Sequence, residues 1–215
     1  MKDPVVKAAR GYDSSGRRAE ASRRRRAVVA AARRRFLEDG YGVTTVASVA
    51  ADAGVSVESI YKAFRGKAGL VRAVWEDALG GRAEESERAE ARSDAAAESA
   101  RTPREVIRAW AMLSTEVGPL AWPVLSLVRS AALVDPEAAA LRDEIEAGRA
   151  TRMSHNVARL ARTGDLRAGL TRAHARDILL AYSTDLYDPL VVRAGWSLEA
   201  YREHLERALV AILLD

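Results

Sequence analysis

Hydrophobic positions repeat at helical spacing along almost the whole chain. Residues 44–67, TTVASVAADAGVSVESIYKAFRGK, contain two short helical patterns on either side of the tripeptide AGV. In the first of them, Val46, Val49 and Ala50 follow the i, i+3, i+4 spacing of a single apolar face. The same spacing recurs from residue 67 to the C-terminus. The pattern therefore predicts an all-α protein.

Polar and glycine residues mark the ends of these two short helices. Thr44 or Thr45 can cap the first helix, and Ser56 can cap the second. Gly54 lies between them, where a sharp reversal needs a residue that tolerates a positive φ angle. Two short helices around such a turn are typical of a helix-turn-helix, whose second helix enters the major groove of DNA.

The beginning of the second helix supplies the candidate DNA contacts. In a helix-turn-helix the N-terminal residues of this helix lie at the base edges. Here they are Val57, Glu58 and Ser59, preceded by the cap Ser56 and followed by Tyr61 and Lys62. The sequence thus predicts a double-stranded DNA operator as a partner.

Residues 24–79 resemble the N-terminal domain of the tetracycline-repressor (TetR) family of bacterial transcription regulators. The upstream segment AVVAAARRRFLEDGYGVTT is similar to the first helix of that family. Downstream, the family run Y-x-x-F-x-x-K-x-x-L is matched by Tyr61, Phe64, Lys67 and Leu70. The resemblance implies phosphate contacts from Thr45, Tyr61 and Lys67, and base-edge contacts from Val46, Val57, Glu58 and Ser59.

Three positions depart from the family pattern. Val57 stands where many members have Lys or Arg, Glu58 where they have a small residue, and Ala63 where they have His. A carboxylate repels phosphates, yet a glutamate can accept a hydrogen bond from cytosine N4. Glu58 therefore either narrows the base preference or is turned aside.

Charge is distributed unevenly along the chain. Residues 1–76 hold 16 Lys and Arg against 8 Asp and Glu, whereas residues 77–215 hold 18 against 22. A basic first third fits a segment that meets a polyanion. We expect residues 1–22 to form a disordered basic arm, because they combine Pro, Gly, Ser and charge without periodicity. Arg23–Arg26 follow, as either a solvated charge run or a DNA contact.

The remaining chain divides at a polar stretch. Residues 23–79 form the predicted helix-turn-helix domain, and residues 102–215 the predicted ligand-binding and dimerisation domain. Between them, the Ala-rich residues 82–101 contain no large apolar side chain and suggest a mobile linker or a solvated helix extension. Helix starts are predicted at Pro103, between Pro119 and Pro123, at Pro136 and after Thr171.

The C-terminal segment predicts a homodimer. Leu198, Tyr201, Leu205, Leu209 and Ile212 form an apolar stripe at helical spacing, and Val210, Leu213 and Leu214 broaden it. A broad stripe suggests two surfaces to cover. This segment also resembles the C-termini of TetR-family proteins, where two long helices from each subunit form a four-helix interface.

The resemblance implies a small-molecule effector pocket among the central helices. Candidate lining residues are large or polar groups on otherwise apolar helices, namely Trp110, Trp122, Arg129, His155 and Tyr182. For each residue, packing in the core is the competing interpretation. Arg129 requires a partner, which is either an acidic side chain or an anionic ligand.

Several classes of function are disfavoured. The chain has no cysteine, and its three histidines lie far apart, without zinc-ligand spacing. We expect no cofactor and no enzyme; the residual enzymatic alternative pairs His155 with a carboxylate. No apolar run approaches the length of a membrane span and no signal peptide is recognised, so a cytoplasmic protein without a membrane partner is predicted.

The predicted function is a repressor released from its operator by a small molecule. The alternative is an effector-independent architectural DNA-binding protein, in which the C-terminal domain only dimerises. An enclosed cavity in that domain would favour the first alternative.

Overall fold

A computed structural model describes residues 14–80, 83–164 and 166–215 of the chain. Within these ranges the secondary structure is helical and contains no strand, which confirms the all-α prediction. The elements are α1 (Ser14–Glu38), α2 (Val46–Ala53), α3 (Val57–Phe64), α4 (Lys67–Gly80), α5 (Ala83–Ser99), α6 (Pro103–Ala131), α7 (Pro136–Thr163), α8 (Arg172–Thr184), a π-helix (Asp188–Arg193) and α9 (Leu198–Leu213).

The first hydrophobic core joins the N-terminal helices to the central ones. Buried side chains of α1 to α4, among them Phe36, Ile60 and Val74, cluster with Leu125 of α6 and Leu141 of α7. The predicted boundary after residue 79 is therefore no break in packing, because the C-terminal half of α6 and the start of α7 complete the core of the first four helices.

A second core fills the C-terminal helices. Ile107 and Trp110 of α6, Leu160 of α7, Leu179 of α8 and Leu209 of α9 are buried together. A small adjacent cluster surrounds Tyr187 and Tyr201, whose rings meet edge to face with centroids 5.6 Å apart. Helix α6 contacts α4, α5, α7 and α9 and so forms the centre of the molecule.

Close packing of α4 on α3 requires glycine at one position. A Cβ atom built on Gly69 would lie 1.6 Å from the backbone oxygen of Phe64. Because backbone atoms cannot move aside as a flexible side chain can, no other residue fits there without displacing α4. Gly69 therefore fixes how α4 leaves α3.

Two segments differ from the prediction of disorder. Residues 14–22 belong to α1, so the expected arm is helical over this part, while residues 1–13 lie outside the described residues. Residues 83–99 form α5, whose Ala89, Ser93 and Ala97 are buried against α6. Of the two alternatives for this stretch, the helix is therefore confirmed and the mobile linker is wrong, but the helix is packed rather than solvated, because small side chains let two helix backbones approach closely without a marked apolar stripe.

Helix α6 also differs from expectation. Pro119 and Pro123 lie inside one continuous helix rather than at its start. By length and composition α6 could cross a membrane, with a mean hydropathy of 1.3 over 18 residues, contrary to the expectation that no segment qualifies. A core helix of a soluble protein meets the same criterion, and α6 packs on helices on several sides. The starts predicted at Pro103, Pro136 and Thr171 are confirmed.

Candidate nucleic-acid interface and ligand cavity

Reciprocal hydrogen bonds fix the start of α2. Thr45 Oγ1 accepts from the backbone N–H of Ser48 at 3.0 Å, and Ser48 Oγ accepts from the N–H of Thr45 at 3.2 Å. Thr45 is therefore the cap. Thr44 is instead buried and donates its hydroxyl to the carbonyl oxygen of Gly40 at 2.9 Å.

The turn between α2 and α3 adopts the predicted geometry. Gly54 has φ of 64° and ψ of 35°, in the left-handed region. Val55 follows and packs on the core, which holds the elbow between the two helices. Ser56 caps α3 by accepting from the backbone N–H of Ser59 at 3.2 Å.

Helix α3 presents an exposed face to solvent. Ile60 and Phe64 are buried, whereas Glu58, Ser59 and Lys62 are exposed. Tyr61 is 54% exposed, despite its large ring. Val46 and Val57 are half-buried and contact the core, so less of each side chain reaches the surface than the sequence suggests.

Glu58 folds back over the N-terminus of its own helix. Hydrogen bonds from its own backbone N–H and from the Ser56 hydroxyl lower the pKa of the carboxyl group. A carboxylate in this position also interacts favourably with the helix dipole. The carboxylate of Glu58 thus lies at the start of its own helix in the free protein.

Lys67 is held at the N-terminus of α4 by an aromatic ring. Its ammonium lies 4.1 Å from the centre of the Tyr41 ring and 3.4 Å from the carbonyl oxygen of Gly42, to which it donates. Burial lowers the pKa of Lys67, while the charge of Asp135 opposes that shift. The ammonium is consequently fixed in place rather than freely extended.

Tyr41 connects this region to the turn between α6 and α7. Its hydroxyl donates to Asp135 Oδ2 at 2.5 Å, across 94 residues of sequence. The bond lowers the pKa of Asp135, and burial together with this bond raises the pKa of Tyr41. Asp135 also caps α7 by accepting from the N–H groups of Glu137 and Ala138. The sequence predicts the helix start at Pro136, but not the contact between Asp135 and Tyr41.

A cavity of about 230 Å³ lies between the C-terminal helices and α4. Most of its wall is apolar, and its polar groups come from α5 to α8. The lining residues include Trp75, Ala78, Trp110, Leu113, Ala121, Leu125, Met153, Asn156, Leu179, Tyr182, Leu205 and Leu209. An apolar wall with few polar groups is typical of a small-molecule site.

Both arginines of the cavity wall already have protein partners. Arg149 donates to Glu146 at 2.5 Å and to the Ser183 hydroxyl at 2.9 Å. Arg152 donates to Glu90 at 2.5 Å. Their charges are therefore compensated within the protein, and the cavity does not present a free cation to a ligand.

Only part of the predicted effector set reaches this cavity. Trp110 and Tyr182 line it, whereas Trp122, Arg129 and His155 do not. Arg129 forms ion pairs with Glu146 and Asp185, each at 2.9 Å. Its partners are therefore acidic side chains of the protein. His155 is exposed on α7, so it does not join a carboxylate in the cavity.

Sequence reasoning missed three contributors to the wall. Trp75 follows the helical spacing of α4 and carries no sequence signal of a ligand site, although it lines the cavity. Asn156 is a buried polar residue on α7, and Met153 lies one turn before it. The polar Asn within an apolar pattern was the one available signal.

The structure is thus a helix-turn-helix whose fourth helix is shared with a cavity-containing helical bundle. Residues 28–74 match the family model described as bacterial regulatory proteins, tetR family, which confirms the resemblance found at residues 24–79. A search of curated protein sequences finds no match.

Solved structures share the fold over most of the chain. NalD of Pseudomonas aeruginosa, the secondary repressor of the MexAB-OprM multidrug efflux pump, is 19% identical and has a TM-score of 0.68; 90% of this chain and 98% of that one are covered. A transcriptional regulator from Saccharomonospora viridis in complex with choline is 18% identical and has a TM-score of 0.65; the match covers 90% of this chain and 99% of that one.

A third protein is a TetR-family transcriptional regulator from Rhodococcus sp. It is 19% identical and has a TM-score of 0.64; the match covers 89% of this chain and 99% of that one. The present chain therefore has the fold of a TetR-family transcription regulator.

Proposed function

We propose that this protein is a sequence-specific DNA-binding transcription regulator, and that it acts as a repressor. The observation that carries the proposal is the exposed face of α3, with Ser59, Tyr61 and Lys62 accessible next to the capped start of α2. In this arrangement α3 enters the major groove, while Thr45, Tyr61 and Lys67 contact phosphates.

The effector occupies the cavity and acts through α4. This helix begins at Lys67, beside the helix-turn-helix, and its Trp75 and Ala78 line the cavity. Eight residues of helix span about 12 Å, so one rigid element connects the two places. A ligand that displaces Trp75 moves Lys67 with it, and the coupling is reciprocal because DNA then weakens ligand binding equally.

A neutral, largely apolar molecule fits the cavity best. An anion would find Arg149 and Arg152 of the wall already paired with Glu146 and Glu90, and a cation would find Glu90, the acidic residue of the wall, already paired with Arg152. The wall also contains the uncharged polar side chains of Ser114, Asn156 and Thr184. The choline bound by the Saccharomonospora viridis regulator shows that a protein of this fold holds a small molecule, although of a different charge.

The proposed dimer uses the outer faces of α8 and α9. Tyr201, Leu205 and Leu209 are buried within the protomer, so much of the apolar stripe belongs to the protomer's own core. The exposed faces carry small and charged residues, namely Ala173, Asp177 and Ala181 on α8 and Ala200, Glu203, Arg207 and Ala211 on α9. Small residues let helices of two copies approach closely. Sedimentation that shows a monomer at micromolar concentration would refute the dimer.

Selection of bound duplexes from a random DNA pool tests the function. A two-fold-related motif is expected, because a two-fold dimer presents two copies of α3. Binding without a motif would favour the architectural alternative. An Ala63→Glu variant, placing a second carboxylate on the exposed face of α3, is expected to abolish selection while leaving the core intact.

A further inference from the structure

The N-terminal part of α1 extends beyond the hydrophobic core. From Arg18 to Ala27 every side chain is exposed except that of Glu20, which is half-buried, and the first buried residues are Val28 and Val29. The fourteen residues from Ser14 to Ala27 span about 21 Å as a helix. Within the described side chains of this segment, none from Arg18 to Ala27 is buried in a hydrophobic core.

The charge of this extension is strongly positive. Residues 14–27 contain six arginines and one acidic residue, Glu20. Arg23 and Arg24 bond to Glu20 at 2.5 and 3.1 Å. Successive residues of a helix are rotated by about 100°, so the four consecutive arginines from Arg23 to Arg26 cover all its sides. The extension has no apolar face for a protein partner.

Such a helix gains little from its own contacts. An isolated helix of this length is marginal in water, and exposed pairs of Glu20 with arginines stabilise it only weakly. Mutual repulsion of the arginines opposes even this gain. A polyanion that neutralises them would stabilise the helical form.

Arg25 places the extension next to the recognition helix. Its guanidinium lies 4.7 Å above the ring of Phe64, the last residue of α3, and 4.0 Å from Glu76 of α4. The extension therefore leaves the domain beside the C-terminal end of α3. With α3 in a major groove about 12 Å wide, the flanking phosphates lie within its reach.

We propose that residues 14–27 form a second DNA-binding element, a basic helix that contacts the phosphate backbone beside the groove occupied by α3. This element adds affinity without base preference, because its arginines contact phosphates only. Glu20 moderates that affinity by competing with phosphates for Arg23 and Arg24. The inference rests on the proposed DNA-binding function.

The test compares salt dependence in full-length variants on the selected duplex. Arg18, Arg23 and Arg24 are replaced together by Ala, and a control replaces three exposed arginines that lie outside the proposed dimer helices, Arg92, Arg101 and Arg104. Each lost phosphate contact lowers the slope of log affinity against log salt by about 0.9, so a decrease of up to about 2.7 per protomer is expected. The selected motif should stay unchanged.

A second variant makes the opposite prediction. Glu20→Ala frees two arginines and is expected to tighten DNA binding by about twofold to fivefold at low salt. A weaker affinity of Glu20→Ala for the duplex would contradict the proposal.

The possible results separate this proposal from the function on which it rests. If the triple variant keeps the wild-type slope and motif, the second element is refuted and the regulator stands. If the wild type selects no motif, the proposed function fails. The salt slopes of the wild type and the triple variant can then be compared on a random duplex, which still tests whether the extension contacts phosphates. If the triple variant keeps the wild-type salt slope on DNA but no longer binds anionic lipid vesicles that the wild type binds, the helix belongs to a membrane surface instead.

Discussion

Replacing Tyr41 by Phe removes one hydroxyl and keeps the ring on which Lys67 rests. The lost bond is the 2.5 Å donation to Asp135, which joins the helix-turn-helix to the turn before α7. Hydrogen bonds to a charged group contribute about 1.5–3 kcal/mol. Asp135 is only half-buried and keeps two backbone donors, so water can replace part of the bond. We expect a loss of about 1–2 kcal/mol in the free energy of unfolding.

Denaturant unfolding measures this loss. The denaturant concentration at the midpoint should fall, while the dependence of the unfolding free energy on denaturant stays the same, because unfolding exposes the same surface. Tyr201→Phe is the matched control, since the Tyr201 hydroxyl is buried and has no hydrogen-bond partner among the described residues. Removing a buried donor that has no partner is expected to be neutral or stabilising.

The pH dependence and a double mutant test the same bond further. The pKa of Asp135 is lowered, so its contribution is complete above its ordinary pKa and decreases as pH falls through the lowered one. The difference between Tyr41→Phe and wild type should therefore shrink below about pH 4. A coupling energy between Tyr41→Phe and Asp135→Ala below about 0.5 kcal/mol would refute the inferred contact.

Three further outcomes are expected. Asp52 has its pKa lowered to about 2 by hydrogen bonds from Arg35 and Arg34, so its contribution to stability is present above its ordinary pKa and is lost as pH falls toward 2. Acid titration of Asp52→Asn should accordingly show a flatter decline than wild type between about pH 4 and 2. Ala121→Trp is expected to fill the cavity and abolish ligand-induced quenching of tryptophan fluorescence while operator affinity persists; retained quenching would place the effector elsewhere. Gly69→Ala forces a clash with the backbone of Phe64 and should cost several kcal/mol, an outcome that wild-type thermal stability of the variant would contradict.

Some features of the helix-turn-helix could be predicted because they depend on neighbours in sequence. Ser56 caps α3, and Gly54 takes a positive φ, through contacts within a few residues. The same holds for the helix starts at Pro103 and Pro136. Local hydrogen bonds and backbone sterics decide these features, and residue type alone reports them.

Long-range packing decided the rest. Helix α5 lacks large apolar residues, so its burial on α6 depends on close approach rather than on a visible stripe. Arg129 could have met an anionic ligand or an acidic side chain, and only the placement of α8 brings Asp185 to it. The contact between Tyr41 and Asp135 joins residues 94 positions apart.

The sequence by itself determined the class of fold and the helix-turn-helix that is proposed to contact DNA. Only the tertiary structure decided which residues line the cavity and how α4 connects that cavity to the recognition helix. The physical reason is that caps and turns are fixed by interactions over three or four residues, whereas cavities and shared helices arise from packing between distant elements.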